Sequence, residues 1–409
     1  MVGGGARAIK RLNNSAAVAM FLGQTTPLIY GVTAILLSHI AYTLFPPSLQ
    51  ELLFIHQYGS KKLLFDKSMQ QHIENELFYN YWRTPTQDKL YQLERVLDVA
   101  LRLPLYKKDL AYNEESFSKS FKNYPSDIIE QLRKVTKAEL AFRKMEPAPD
   151  QHYIIYLHGE PGTGKTHAAK KIAEAMGTEL VTVILDGASI KDITGTPATD
   201  ADPKPGKLLE AITNTPSRDT INFSNKVLLI DEFDRLITAD DDNSRSVLSY
   251  MLKVLDSSSH QTFESKFLKS KLPLPDTIVL TGNSDIEALS AKSPRFKALA
   301  SRIESIHFPG FDQQAKSAIA ETLISKLETS YQSMGEEHKN FRITSVEKDM
   351  IATFIAHDQD PGLRSMQKYI YTLFKNMIDA PPTPPEDSEP ECTAPHQCSG
   401  ECQTQTQAL

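Results

Sequence analysis

The sequence predicts an α/β fold: a parallel sheet flanked by helices, followed by a small all-helical domain and preceded by a helical region. Two observations carry this expectation. Apolar, strand-like runs at 153–158, 179–185, 226–231, 276–281 and 304–308 alternate with helical stretches, the pattern of βαβ units under helices on both faces. The second is Gly159-Glu160-Pro161-Gly162-Thr163-Gly164-Lys165-Thr166. It fits G-x-x-x-x-G-K-[ST] and lies between the first run and a helical stretch at 167–176, the strand–loop–helix setting of a phosphate-binding loop.

The loop explains its own residue types. Gly159, Gly162 and Gly164 let backbone N–H groups close on phosphate oxygens, Pro161 and Thr163 complete the nucleotide-binding loop, and the following helix adds its positive dipole end. Lys165 would reach the β- and γ-phosphates, and the Thr166 hydroxyl would ligate Mg²⁺. Val227-Leu228-Leu229-Ile230-Asp231-Glu232 is an apolar strand ending in two carboxylates. In a parallel sheet that end faces the ligand crevice. Asp231 would hold Mg²⁺ directly or through water, and Glu232 would act as general base on a water. The expected ligands are ATP and Mg²⁺.

Before the sheet, residues 12–50 contain no Asp, Glu, Lys or Arg, and 27–45 is apolar enough for a membrane-crossing helix. The segment 1–45 is therefore read as a single-pass anchor, with the phosphate-binding side facing an ATP-containing compartment. Two other readings stay open. Arg7, Lys10 and Arg11 precede the apolar run with no acidic residue before Glu51, as in organelle (mitochondrial) targeting segments; a buried helix of a soluble protein is the third. The region 46–149 reads as helical, with charged and apolar residues mixed at helical spacing at 88–101 and 127–142. No chemistry is read from it, and it serves as a connecting or partner-binding segment. Pro147, Ala148, Pro149 and Asp150 form a linker.

The sheet domain spans 150–309. Helices at 312–327, 345–357 and 362–378 with no strands between them make a small helical domain over 310–380. The tail 381–409 is acidic and Pro-rich and reads as disordered. All three cysteines, Cys392, Cys398 and Cys402, lie in that tail, so the folded body has no disulfides. Their spacing beside His396 is not a usual zinc pattern. The net charge is −6, but Glu386, Asp387, Glu389, Glu391 and Glu401 are in a tail without Lys or Arg. The body is close to neutral, which argues against a nucleic-acid partner.

From residue 153 to 378 the chain resembles the AAA+ ATPases, and within them the ATPase module of Lon proteases. Beyond the P-loop, the resemblance rests on Pro205-Gly206-Lys207-Leu208-Leu209-Glu210-Ala211-Ile212, on Val254-Leu255-Asp256 followed by Phe263, and on Ile306-His307-Phe308-Pro309-Gly310-Phe311. It implies that Asn283, after the run 277–282, is the sensor-1 residue that orients water or contacts the γ-phosphate. It implies that Arg302 is an arginine finger supplied to a neighbouring subunit, with Arg295 a second candidate. Arg364, in Pro361-Gly362-Leu363-Arg364, would be the sensor-2 arginine of a lid domain. The implied protein is an ATP-hydrolysing homo-oligomer, a ring, that remodels an unknown protein or complex.

Two departures qualify the resemblance. Lon carries a protease domain with a Ser/Lys pair after the lid, whereas here the Pro-rich tail follows, so the chain is not expected to be a peptidase by itself. Lon-type unfoldases present an aromatic–aliphatic pair just before the PGK helix; aligned without gaps, Asp200 falls at the aromatic position. An aspartate cannot grip an extended polypeptide by apolar contact. The alternative is a nucleotide-dependent switch or scaffold that translocates nothing.

Overall fold

The computed structural model describes residues 56–84, 86–144, 153–214, 222–256 and 262–379. The apolar run 27–45, the linker 147–150 and the cysteine-bearing tail 381–409 lie outside these residues. Among the described residues, no helix is long and apolar enough to cross a membrane.

The five apolar runs are the five strands of one parallel sheet. In chain order these are β1 (Tyr153–Gly159), β2 (Leu180–Ile184), β3 (Val227–Asp231), β6 (Thr277–Gly282) and β7 (Ile303–Phe308), arranged β2-β3-β6-β1-β7. Ile154 pairs with Ile278 on one side and Ile303 on the other, and Val227 pairs with both Leu180 and Thr277. The central strands are apolar throughout because both faces are covered. Period-two alternation sends Ile154, Tyr156, Leu228, Ile230, Ile278 and Leu280 into one core. It sends Ile155, Leu157, Val227, Leu229, Val279 and Ile306 into another on the opposite face.

The helices before the sheet divide between these cores. Lys67–Gln71 (α1), the π-helical His72–Phe78, Tyr79–Arg83 (α2) and Gln87–Leu101 (α3) join the first. Helix α3 begins at Thr86, whose side chain accepts the Lys89 amide, and buries Leu93, Val96, Leu97, Ala100 and Leu101 at helical spacing. Glu114–Phe121 (α4) and Ser126–Arg143 (α5) join the second core through Phe117, Phe121, Ile128, Leu132 and Val135. Each such fully buried side chain contributes about 1.5–3 kcal/mol relative to an exposed one. Glu139 of α5 is also buried, accepting from Thr277 Oγ1 at 2.6 Å and paired with Arg143.

The remaining sheet helices are α6 (Lys165–Ala175), α7 (Ile190–Thr194), α8 (Lys207–Thr213), α9 (Phe233–Thr238), α10 (Asp242–Leu255), α11 (Ile286–Lys292) and α12 (Pro294–Ala300). An antiparallel hairpin, β4 (Thr262–Ser265) and β5 (Ser270–Pro273), precedes β6. Its tip buries Phe267 and Leu268 in the first core. Asp66 accepts the Ser270 hydroxyl at 2.8 Å, and Glu76 pairs with Lys269.

After β7 come α13 (Gln313–Gln332), α14 (Ser345–His357) and α15 (Arg364–Asp379), with a core of their own around Ile324, Ile343, Ile351, Ile355, Met366 and Ile370. This is the strandless helical domain that the sequence predicts.

Candidate active site

Parallel pairing brings the carboxyl ends of β1, β3 and β6 to one edge, where a cleft of about 1080 Å³ opens. Its floor is the P-loop. Gly164 has φ +89 and caps α6 from the left-handed region, and a Cβ there would lie 2.3 Å from the Tyr124 hydroxyl oxygen. Glycine is required on both counts. Thr163 is buried and donates its hydroxyl to the Glu160 carbonyl at 2.9 Å. Lys165 Nζ donates to the carbonyls of Gly159 and Glu160 at 2.7 and 2.8 Å and to Asn283 Oδ1 at 3.2 Å. Burial pushes the Lys165 ammonium below its ordinary range. The Asp234 and Asp231 carboxylates oppose that shift, and Arg364 adds to it.

The two strand-end carboxylates stand beside the loop. Thr166 Oγ1 lies 3.3 Å from Asp231 Oδ2, and Asp231 Oδ1 also accepts from the Thr281 hydroxyl. The same Thr281 oxygen accepts the Glu232 amide at 3.2 Å. One threonine on β6 thus holds both acidic residues at the end of β3. Glu232 has φ +58, uncommon for a side-chain-bearing residue, and caps α9. Its carboxylate lies 3.1 Å from Arg235 Nη1, which is 3.3 Å from Asp186.

The helical domain closes the cleft from the other side. Arg364 lines it, at the start of α15. Its position follows from the loop before it: the Leu363 amide donates to the Gly162 carbonyl at 3.1 Å, and the Phe311 amide to that of Pro361 at 2.9 Å. Lys316, 2% exposed, anchors this loop by donating to Asp358 at 2.8 Å and to the Asp360 carbonyl.

Lys165, Thr166, Asp231, Glu232, Asn283 and Arg364 therefore converge on one cleft. Arg302 does not. It precedes β7, at the amino edge of the sheet, and pairs with Asp256 at 2.6 Å. Six residues of strand, roughly 20 Å, separate it from the carboxyl edge. Arg295 is also elsewhere, donating to Ser249 Oγ at 2.6 Å.

The region before the sheet, from which no chemistry is read in the sequence, supplies part of the cleft. Tyr124 donates to the Gly164 carbonyl at 3.3 Å, and its hydroxyl lies 3.3 Å from His167 Nδ1. The two rings are nearly parallel, and Phe308 and Phe311 meet the Tyr124 ring edge-on. Burial raises the Tyr124 phenol and lowers the His167 imidazole from their ordinary ranges. Lys119 and Lys122 line the same cleft. A lone Tyr ahead of Pro125 carries no local chemical pattern; only the packing of α4 and α5 on the sheet reveals it.

Residues 155–305 match the family model described as ATPase family associated with various cellular activities (AAA). The chain is 25% identical over 322 residues to Lon protease 2 of Bdellovibrio bacteriovorus, covering 78% of this chain and 38% of that protein. It is 29% identical over 228 residues to the mitochondrial Lon protease homolog of Phaeodactylum tricornutum, covering 56% and 24%. The chain thus spans well under half the length of these curated relatives. A solved structure of the S. cerevisiae Hsp104–ADP complex aligns with 91% of this chain and 61% of that one, at TM-score 0.45 and 16% identity. The matched family region contains the P-loop, the carboxylates of β3 and Asn283, and the chain is similar in sequence to Lon proteases over that region and beyond it.

Proposed function

We propose that this cleft binds MgATP and hydrolyses it in an oligomer whose neighbouring subunits complete each other's sites. The observation that carries the reading is the convergence of Lys165, Thr166, Asp231, Glu232, Asn283 and Arg364 on one cleft while Arg302 stands at the opposite edge of the sheet. Lys165 and the P-loop amides hold the phosphates. A hydroxyl and a carboxylate 3.3 Å apart suit a hard divalent cation that keeps water and phosphate as its other ligands. Bound there, Mg²⁺ would neutralise charge on the β- and γ-phosphates. Glu232 takes the proton of the attacking water, and Asn283 orients that water. Arg364 reports the phosphate state to the lid through the Leu363–Gly162 contact.

Arg302 cannot serve its own cleft across the length of β7, which supports a finger supplied between subunits and hence a ring. The work driven is remodelling of a protein or complex, at a membrane if residues 27–45 anchor the chain. Organelle targeting is the alternative for that segment.

Glu232→Gln is the test. It keeps ATP binding and lowers hydrolysis by about 10²–10⁴-fold; undiminished hydrolysis would falsify the assignment.

A second reading, a nucleotide-dependent switch that threads nothing, is favoured by the loop before α8. Asp200 is exposed there in a tight turn onto Pro197, and Arg95 of α3 holds the Pro203 carbonyl at 2.7 Å. An acidic loop tied to the helical region offers no apolar grip. ATP turnover that stays constant when unfolded polypeptides are added supports the switch; stimulation supports remodelling.

A further inference from the structure

Asp234 is 5% exposed on the first turn of α9, and no motif drew attention to it. Its Oδ2 accepts the Asn283 amide at 2.7 Å and the Ser284 amide at 3.4 Å. From the opposite side, the Tyr156 hydroxyl donates to the Ser284 carbonyl at 2.6 Å. Gly282 lies between these two clamps. A Cβ there would sit 2.2 Å from the Tyr156 hydroxyl oxygen and 2.9 Å from Asp234 Cβ and Cγ.

Asp234 and Tyr156 therefore hold the turn after β6 through its main chain, which leaves the Asn283 side chain to face the cleft, where it accepts from Lys165. A buried carboxylate accepting two amides is a strong, charge-assisted anchor in a low-dielectric setting. Its helix is also the one that Glu232 caps. The Glu232 amide is in turn bonded to Thr281, two residues before Asn283. Helix α9 and the turn after β6 are thus cross-linked twice, once at each of the two residues assigned to the attacking water.

We propose that Asp234 is a positioning residue for ATP hydrolysis, fixing the distance between Asn283 and Glu232. The proposal rests on the roles given above to those two residues. Proximity effects are steep, and a displacement of about 1 Å can cost around 10²-fold in rate.

The experiment measures kcat and ATP dissociation constants for Asp234→Ala, Asp234→Asn, Asn283→Ala and the double variant Asp234→Ala/Asn283→Ala, with thermal unfolding alongside. Asp234→Ala should lose about 10–100-fold in kcat with ATP affinity held within about twofold. Asp234→Asn keeps an acceptor for both amides and should restore most of the rate. The double variant should be no slower than Asn283→Ala alone, because the two residues act as a unit. If Asp234→Ala does not fold, Gly282→Ala displaces the same turn and should show the same split between rate and affinity. Normal kcat in Asp234→Ala, or in Gly282→Ala in its place, overturns the proposal. So does an undiminished effect of Asp234→Ala in the Asn283→Ala background. Should Asn283→Ala itself turn over at the wild-type rate, it is the role of Asn283 that fails.

Discussion

Lys165 Nζ and Asn283 Oδ1 are 3.2 Å apart, so the lysine of the P-loop and the amide of the strand-end turn meet across the cleft. Their expected contributions differ in kind. Lys165→Ala removes a charge from the phosphate site and should weaken ATP binding by about tenfold or more, one charge-assisted hydrogen bond being worth roughly 1.5–3 kcal/mol. Asn283→Ala should leave binding nearly intact and lower kcat for hydrolysis. Nucleotide titration separates the two effects, and equal losses in both variants would contradict this division.

The inter-subunit finger proposed for Arg302 is open to direct test. Arg302→Ala should cost about 10³-fold or more in turnover without changing ATP affinity. Mixing Arg302→Ala chains with Lys165→Ala chains should restore measurable hydrolysis, because the second supplies a finger to the intact P-loop of the first. No recovery in the mixture, with assembly confirmed by mass, would place the finger elsewhere.

Tyr124 closes the cleft from α5's approach. Tyr124→Ala should lower ATP affinity several-fold, while Tyr124→Phe keeps the ring on His167 and should lie near wild type. The comparison reads whether ring or hydroxyl matters, and unaltered affinity in both variants would make the residue a structural plug only.

Glu139 gives a pH prediction. Burial pushes its carboxyl above the ordinary value of 4.5, with Arg143 and Thr277 offsetting part of the shift. The folded chain then holds this proton more tightly than the unfolded chain does. Stability from this group is greatest at low pH and falls as pH rises from the unfolded value through the folded one. Glu139→Gln should flatten that part of the stability–pH curve, measured by denaturant unfolding from acid to neutral pH. An unchanged slope would show that Glu139 does not titrate in this range.

The parallel sheet was legible because burial on both faces leaves each strand uninterruptedly apolar, and the P-loop and Asp231–Glu232 mark the ends of two strands. The hairpin at 262–273 was not, since strands of four residues with polar alternates carry no distinct period. Thr281, Asp234 and Tyr124 escaped for another reason. Each acts through a neighbour that is distant in sequence, so neither spacing nor residue type points to it. The position of Arg302 at the amino edge also needed the strand order; the sequence supplied only its resemblance.

The embrace of the β4–β5 hairpin by the first helices has a consequence for how the chain is made. Asp66 and Ser270 are separated by 204 residues, and ribosomes add about 5–20 residues per second. Helix α1 and the π-helical segment after it therefore emerge roughly 10–40 seconds before the hairpin strand that bonds to them. Met69 and Ile73, both buried in the finished molecule, spend that interval without the completed core around them. The nascent chain is most exposed to misassociation before its ATPase domain exists, and shielding at that stage should govern its yield.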